Sequence, residues 1–182
     1  MIGKIVISTI EEAYSKSFLE EKGIDKVISF IDPCKFDNFW EHYTYKMQMD
    51  WDYFMFYDVE IKNSEYVSPK LEDIQRLIDI YHKLINDQSV HNCLIHCTAG
   101  VSRSTAAAYI LLFMMYGDKR KALDKLLEVR WFAQPNLLIL DYADKILGTD
   151  LGDYIYKWRQ EEMEEFRRVK RESLPPELRF KL

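Results

Sequence analysis

The chain has 182 residues, of which 48% are hydrophobic, and this is enough for one domain with a substantial core and a short extension. Its formal net charge of −5 argues against a nucleic acid as partner. The longest apolar run, 106–116, is too short to cross a membrane, and three cysteines without framework spacing favour a reducing, cytoplasmic compartment.

In the first half of the chain, short apolar runs of strand composition surround a helical pattern. The helix is predicted over 11–22 and ends at Gly23. The interval 36–56 is unusually aromatic, which predicts either a substrate-facing loop or a second layer of core under a long connection; we favour the core. Strands are predicted over 4–8, 27–31, which Asp32-Pro33 closes, and 53–59.

The second half of the chain is mainly helical. Ser68 is a good N-cap and Pro69 suits the first position of a helix whose apolar residues share one face over 71–85. A strand over 92–96 leads into a loop, and later helices are predicted over 104–116, 119–130 and 136–147. Strands early and helices late predict an α/β fold in which helices cover a central sheet.

The composition changes near residue 150, where closely spaced charges begin. We therefore predict a main domain over 1–149 and a charged C-terminal helix and tail over 150–182. Glu164 and Arg168 are spaced for an i,i+4 pair on a solvated helix. We favour a helix that docks on the domain or stands in solvent; the alternative is that its apolar residues dock on a partner. These residues are Leu151, Ile155, Trp158, Phe166 and Val169.

Residues 96–104 read His-Cys-Thr-Ala-Gly-Val-Ser-Arg-Ser, between an apolar strand and an apolar helix. In a strand, turn and helix of this kind, successive backbone N–H groups converge on one point, and the helix N-terminus adds partial positive charge there. The segment therefore predicts an anion-binding loop. The residues expected to bind the anion through their backbone are Thr98, Ala99, Gly100, Val101 and Ser102.

The side chains around this loop are those that phosphoryl transfer needs. Gly100 leaves the backbone free of a Cβ where the chain bends around the anion. Arg103 offers a planar fork to two phosphate oxygens at once. Cys97 is the candidate nucleophile, because the helix end, the amides and the guanidinium all favour its thiolate. Ser104 is expected to donate its hydroxyl to the sulfur, and His96 to orient the loop through backbone contacts.

Two other interpretations of the cysteine stay open. Cys93, His96 and Cys97 are candidate metal ligands, although no second ligand pair follows at a suitable spacing. A buried inert cysteine is common in general, but it would leave Gly100 and Arg103 unexplained. We favour the nucleophile, expect no metal, and assign Cys93 to the core.

The loop resembles the His-Cys-x5-Arg-Ser/Thr signature of the cysteine-based protein tyrosine phosphatase superfamily, and most closely its small dual-specificity branch. Downstream, Arg130 followed by Pro135-Asn136 resembles that branch's Arg-x4-Pro-Asn element. The resemblance covers residues 1–147. It implies a central mixed, mostly parallel sheet flanked by helices, to which the C-terminal helix is added, and a phosphocysteine intermediate. It also implies that Asn136 braces the phosphate loop.

The motif does not identify the general acid. A proton must reach the leaving oxygen as the P–O bond breaks, and in the superfamily an Asp about thirty residues before the cysteine supplies it. Glu65 stands 32 positions before Cys97, so this sequence departs from that pattern. Asp58, at the predicted end of a strand, is our choice, with Glu60 and Glu65 as substitutes. The alternative interpretation of Asp58 is that it only caps the turn.

These features predict a protein phosphatase that hydrolyses phosphotyrosine, with phosphoserine and phosphothreonine as further candidate substrates. No metal or cofactor is expected, because Cys97 and Arg103 supply nucleophile and charge. One rival is a phosphate-binding module without turnover, in which the misplaced acid abolishes catalysis. Another is a phosphatase of phosphoinositides or RNA 5′-phosphates, but the loop carries none of the extra lysines that such polyanions favour. The expected partner is a phosphorylated protein, not a nucleic acid or a membrane.

Overall fold

Four parallel strands form the centre of the molecule. The computed structural model describes residues 2–35, 50–60, 66–87 and 91–173. The strands are β1 (Ile2–Ser8), β2 (Lys26–Ile31), β3 (Asp50–Met55) and β4 (His91–His96), in the order β1-β4-β2-β3. Every pairing among them is parallel, so their carboxyl ends lie along one edge of the sheet.

The central strands are apolar because both of their faces are covered. All six residues of β2 are buried. Neighbouring residues alternate between the two faces: Val27 and Leu94 pack on one side, and Ile28 and Ile95 on the other. A buried parallel sheet of this kind needs helices on both sides.

Seven helices lie within the described part of the chain. Two short ones cover the face of Val27 and Leu94, and the others pack against the opposite face. The helices are α1 (Ile10–Tyr14), α2 (Lys16–Lys22), α3 (Leu71–Asn86), α4 (Arg103–Tyr116), α5 (Lys119–Val129), α6 (Leu137–Leu147) and α7 (Leu151–Ser173). The predicted α/β fold is thereby confirmed. The described strands include no antiparallel pair, so the mixed part of the expected sheet is not seen among them.

Two predicted boundaries near the N-terminal half are wrong. The helix expected over 11–22 is divided at Ser15, whose extended backbone interrupts it and whose hydroxyl accepts the Phe18 N–H to start α2. The strand expected over 53–59 lies at 50–55 instead. Its pairing with β2 ends at Met55, and the Tyr57 N–H then donates to the Val67 carbonyl.

The start predicted for α3 is also wrong, by two residues. The helix begins at Leu71 rather than Pro69. The Asp73 carboxylate accepts the backbone N–H of Lys70 at 3.0 Å, which satisfies a donor that the first turn leaves unpaired. Lys70 is therefore the capping residue, and Ser68 lies outside the helix.

The aromatic interval 36–56 is described only from residue 50 onward, and residues 36–49 lie outside the described ranges. Phe54 and Phe56 are fully buried, with ring centroids 5.2 and 5.7 Å from that of Phe30. These two rings belong to the core, as the favoured interpretation predicts for them.

Helix α7 packs on the core only through its first turns. Leu151 and Ile155 are fully buried, whereas Phe166 and Val169 are exposed. The helix begins where the composition changes, but the division into 1–149 and 150–182 stays a prediction, because the first turns of α7 share the core. No helix within the described ranges is long and apolar enough to span a bilayer.

Candidate active site

The loop that follows β4, residues 97–102, has its carbonyl groups bound from outside the loop. Each of the five carbonyls from Thr98 to Ser102 accepts a hydrogen bond from another part of the chain. The donors are Ile10 N to Thr98 O (3.3 Å), Arg130 Nη2 to Ala99 O (3.2 Å), Arg130 Nε to Gly100 O (3.0 Å), Gln134 N to Val101 O (2.8 Å), and Ala106 N and Asn136 N to Ser102 O (2.9 and 3.3 Å). The start of α1, the segment between α5 and α6, and α4 itself thus fix the loop.

These outward carbonyls turn the N–H groups of the loop inward. In a planar trans peptide the N–H points away from the carbonyl of the preceding residue, and the described chain has no cis peptide. The N–H groups of residues 99–103 therefore face the enclosed side. Helix α4 starts at Arg103 and adds its partial positive charge there. The loop is built to bind an oxyanion.

Gly100 is required where the loop passes closest to β1. Its φ is +66°, a conformation that side chains rarely adopt. A Cβ at this position would stand 2.6 Å from the Ser8 carbonyl oxygen and 2.8 Å from Nη2 of Arg130. Any larger residue would therefore push the loop away from two of its supports.

The sulfur of Cys97 lies at the base of the loop, and only 1% of the residue is exposed. Burial by itself would raise the pKa of this thiol. The Ser104 hydroxyl, 3.2 Å from the sulfur, the backbone N–H groups of Ser104 and Val101, and the charge of Arg103 outweigh burial, so the pKa of Cys97 lies below its ordinary value. These contacts therefore stabilise the thiolate relative to that of an ordinary cysteine.

Arg103 is held in one orientation although it is almost completely buried. Its Nη1 donates to the Phe56 carbonyl at 2.6 Å, and its Nη2 donates to Thr98 Oγ1 at 3.1 Å and lies 2.9 Å from Asp32 Oδ1. Its Nε has no hydrogen-bond acceptor among the described residues, and the nearest carboxylate oxygen, Asp58 Oδ2, is 4.0 Å away. The guanidinium therefore keeps a buried donor available for an anion.

Asp58 reaches the loop from the segment after β3. Its Oδ1 accepts hydrogen bonds from Ser102 Oγ at 2.7 Å and Asn136 Nδ2 at 2.8 Å. Its Oδ2 faces Arg103. Of its two substitutes, Glu60 points elsewhere, since its Oε1 accepts the Leu137 N–H and pairs with Arg159 at 3.0 Å. Glu65 lies outside the described residues.

Asn136 connects three parts of the site. Its Oδ1 accepts the Ile139 N–H and caps α6. Its Nδ2 donates to Asp58 and to the Val59 carbonyl, and its backbone N–H donates to Ser102. The side chain thus holds the segment that carries Asp58, while the contact with the loop is made by the backbone.

His96 and Cys93 are both occupied within the core. His96 Nε2 lies 2.6 Å from Ser29 Oγ, which also accepts the Trp51 indole N–H. Through its backbone, His96 sits in the sheet at the end of β4, next to Ser8. Burial raises the pKa of Cys93 to about 12. Cys93 therefore belongs to the core, and its thiol stays protonated.

A cleft of about 400 Å³ opens above the loop. Its lining includes Arg103 and Thr98 and the carboxylate residues Asp32 and Asp58. Tyr57 and Tyr66 form an aromatic wall, with ring centroids 5.7 Å apart and ring planes at 74°. The cleft has room for one phosphorylated side chain.

The structure brings together residues 96–104, Asp58 and Asn136, and adds three features that the sequence reasoning missed. The sequence assigns Asp32 only to the end of β2. The missing information was that β2 lies beside β4, which places its carboxyl end next to the loop. Arg130 was part of the matched element without a role, and the Tyr57–Tyr66 wall had no sequence signal.

No protein-family model and no curated protein matches the chain in sequence. Solved structures match in fold. A human tyrosine phosphatase-like serine/threonine/tyrosine-interacting protein covers 79% of this chain and 91% of its own, with a TM-score of 0.60 and 15% identity. The Yvh1 phosphatase domain from Chaetomium thermophilum covers 81% of this chain and 93% of its own, with a TM-score of 0.55 and 17% identity. PTPMT1, solved in complex with PI(5)P, covers 86% of this chain and 94% of its own, with a TM-score of 0.54 and 11% identity. At such identities the likeness concerns the fold alone.

Proposed function

We propose that this chain, which has the fold of the dual-specificity and tyrosine phosphatases, is a cysteine-dependent phosphomonoester hydrolase that acts on phosphotyrosine in proteins. One observation carries the proposal: five consecutive loop carbonyls are bound from outside, so that the N–H groups of residues 99–103 turn inward beside the Cys97 sulfur. Such a cradle suits the equatorial oxygens of a phosphoryl group during its transfer.

In the first step the Cys97 thiolate attacks phosphorus in line with the leaving oxygen. The S–P bond forms as the P–O bond to the tyrosine breaks, and the leaving oxygen takes a proton from the carboxylic acid of Asp58. The loop amides and the free Nε of Arg103 bind the three equatorial oxygens throughout. The products are phosphocysteine and the dephosphorylated tyrosine.

In the second step water attacks the phosphocysteine. The Asp58 carboxylate takes the proton from the water, the S–P bond breaks, and inorganic phosphate leaves. The Ser104 hydroxyl, 3.2 Å from the sulfur, donates to the departing thiolate and lowers its energy. The cycle returns Cys97 as thiolate and Asp58 as acid, and it uses no metal.

The cleft supports an aryl phosphate on a protein more than a phosphoinositide. Tyr57 and Tyr66 offer a phosphotyrosine ring an aromatic surface. Asp32 and Asp58 place two carboxylates beside Arg103, the one cation that lines the described cleft. Additional phosphate groups on a lipid headgroup would meet these carboxylates, so we rank such lipids lower, although PTPMT1 shares the fold and was solved with PI(5)P.

The second candidate function is a phosphate-binding module without turnover. The contacts of Asp58 favour this module in one respect. Ser102 and Asn136 both donate to the Oδ1 of Asp58 and hold this carboxylate against the loop. The interacting protein with the same fold is named tyrosine phosphatase-like. Both functions would use the same anion cradle, and they differ in whether phosphate is released.

The deciding experiment is hydrolysis of p-nitrophenyl phosphate by the full chain, with Cys97→Ser as the matched variant. The enzyme is supported by turnover that Cys97→Ser abolishes and an excess of chelator leaves unchanged. Tight phosphate binding without turnover supports the module, and a metal requirement overturns the mechanism. Side-by-side rates on phosphotyrosine peptide, phosphothreonine peptide, phosphoinositide and RNA 5′-phosphate then rank the substrates. A thiolate nucleophile also assigns the chain to a reducing compartment such as the cytoplasm.

A further inference from the structure

A second and larger cavity, about 1050 Å³ in volume, lies between residues 131–134 and helix α7. Its walls are mostly apolar and aromatic. Trp131, Phe132, Tyr156, Met163 and Phe166 form most of this surface, which we call the aromatic groove. None of these side chains belongs to the phosphate loop or to the cleft above it.

The aromatic groove is open to solvent to an unusual degree. Trp131 is 81% exposed, Phe166 67%, Tyr156 53% and Met163 48%. Single apolar residues on a surface are ordinary, but a contiguous set of large ones marks an interaction site. Tryptophan and tyrosine are also the residues that contribute most to binding at such sites.

The aromatic groove lies close to the cleft. Glu60 lines the groove and Asp58 lines the cleft, and two residues of chain span at most about 7 Å. Gln134, which also lines the groove, donates its backbone N–H to the Val101 carbonyl of the loop. The Arg130 guanidinium stacks 4.3 Å from the Phe132 ring while its Nε holds Gly100.

The sizes and charges of the two cavities indicate what occupies the groove. The cleft, about 400 Å³, holds one phosphorylated side chain, so the residues that flank it must lie outside. The groove, at about 1050 Å³, has room for side chains of a polypeptide. The charged residues of its described lining are Glu60 and Arg159, which pair at 3.0 Å, and Glu162, so these residues offer no excess positive charge to a lipid headgroup or RNA.

We infer that the aromatic groove is a docking site for the phosphorylated protein substrate, and that it binds an aliphatic or aromatic side chain a few residues from the phosphorylated one. The inference rests on the proposed function and adds a substrate preference to it. The phosphate loop then recognises the phosphoryl group, and the groove recognises the chain that carries it.

The test uses phosphotyrosine peptides of otherwise Ser and Gly composition, with one Leu or Phe moved through the four positions on each side. At the favoured position, kcat/KM of the full chain is expected to rise roughly tenfold over the peptide without it, and Trp131→Ala and Phe166→Ala should remove that gain. Val169→Ala is the matched control, because Val169 is 51% exposed on α7 but does not line the groove. The rate with p-nitrophenyl phosphate should be the same in all four proteins.

Three results would overturn the inference. The first is a kcat/KM that does not depend on the position of the Leu or Phe in the peptide. The second is an equal loss of p-nitrophenyl phosphate and peptide turnover in Trp131→Ala. The third is a wild-type dimer that Trp131→Ala dissociates without changing peptide kinetics. The affinity of the Cys97→Ser variant for the same peptides, measured by fluorescence anisotropy, gives a readout that does not depend on turnover. The docking site can therefore fail while hydrolysis stands, and a chain without hydrolysis still reports the docking preference.

Discussion

Asp32 Oδ1 lies 2.9 Å from Nη2 of Arg103, and the other oxygen of the same carboxylate accepts the hydroxyl of Thr98. Asp32 thus pairs with a buried arginine and fixes Thr98, the first residue after Cys97. It therefore holds the guanidinium in position, while the Nε of Arg103 has no acceptor among the described residues.

Asp32→Ala should therefore destabilise the chain more when phosphate is absent than when it is present. Leaving Arg103 without this partner is expected to cost roughly 2 kcal/mol, less than for a fully buried pair. Thermal unfolding with and without inorganic phosphate is the measurement, and phosphate should raise Tm more in the variant than in the wild type. Asp150→Ala, which removes an exposed pair with Lys119, is the control and should show no such difference. Equal phosphate shifts in variant and wild type would contradict the role given to Asp32.

Arg130→Ala should slow catalysis, although Arg130 is not among the residues that line the cleft. The Ala99 and Gly100 carbonyls lose their donors, so the N–H groups that follow them are no longer held inward. We expect kcat to fall by about a hundredfold, the usual effect of losing one oxyanion donor. Arg120→Ala is the matched control, since Arg120 is exposed and pairs only with Asp124 in the described structure. A normal kcat in Arg130→Ala would show that the loop holds its shape without these bonds.

Ser104→Ala should raise the pKa of Cys97, because the thiolate loses its side-chain donor. The measurement is the pH dependence of iodoacetamide labelling, read by mass spectrometry at each cysteine. In the wild type, the midpoint of Cys97 labelling should lie below the ordinary thiol pKa of about 8.5, and it should move upward in Ser104→Ala. Cys93, whose pKa burial raises to about 12, is the internal control and should stay unlabelled. A midpoint that does not move would remove Ser104 from the activation of the sulfur.

Asp58→Asn tests the general acid. The Asn carbonyl can still accept from Ser102 and Asn136, so the loop should remain intact. The Asn side chain cannot give a proton to the leaving oxygen, so the rate of the variant on phosphotyrosine peptide should drop by about 10²–10⁴-fold. Glu60→Gln is the control, because Glu60 pairs with Arg159 instead; an unchanged rate in Asp58→Asn would end the assignment.

The local part of the site could be predicted from the sequence because it is contiguous. A strand, a turn and a helix within residues 92–116 predict an anion-binding loop and the places of Cys97 and Arg103 at its two ends. Asp32 and Arg130 could not be assigned in this way. Their roles depend on which strands are neighbours and on how the segment before α6 returns to the loop, and both are contacts between distant parts of the chain.

The bounds of the helices and strands also divide into those that the sequence predicts and those that it does not. Helices with clear caps, such as α6 with Asn136 and Gly148 at its ends, lie within a residue of their predicted bounds. The helix divided at Ser15 differs because Ser15 takes an extended backbone and caps α2, and the strand that ends at Met55 differs because its pairing with β2 ends there. The strand end matters for the site, since it leaves Asp58 on an irregular segment that can approach Arg103.

The donors that hold the loop carbonyls come from residue 10 and from residues 130–136, far from Cys97 in the chain. During synthesis Cys97 is made before Arg130, Gln134 and Asn136 exist. The groups that lower the pKa of Cys97 lie within residues 97–104, but the loop that positions them is held by these later residues. We therefore expect the thiol of a chain that ends before residue 130 to react more slowly with iodoacetamide than the thiol of the folded chain.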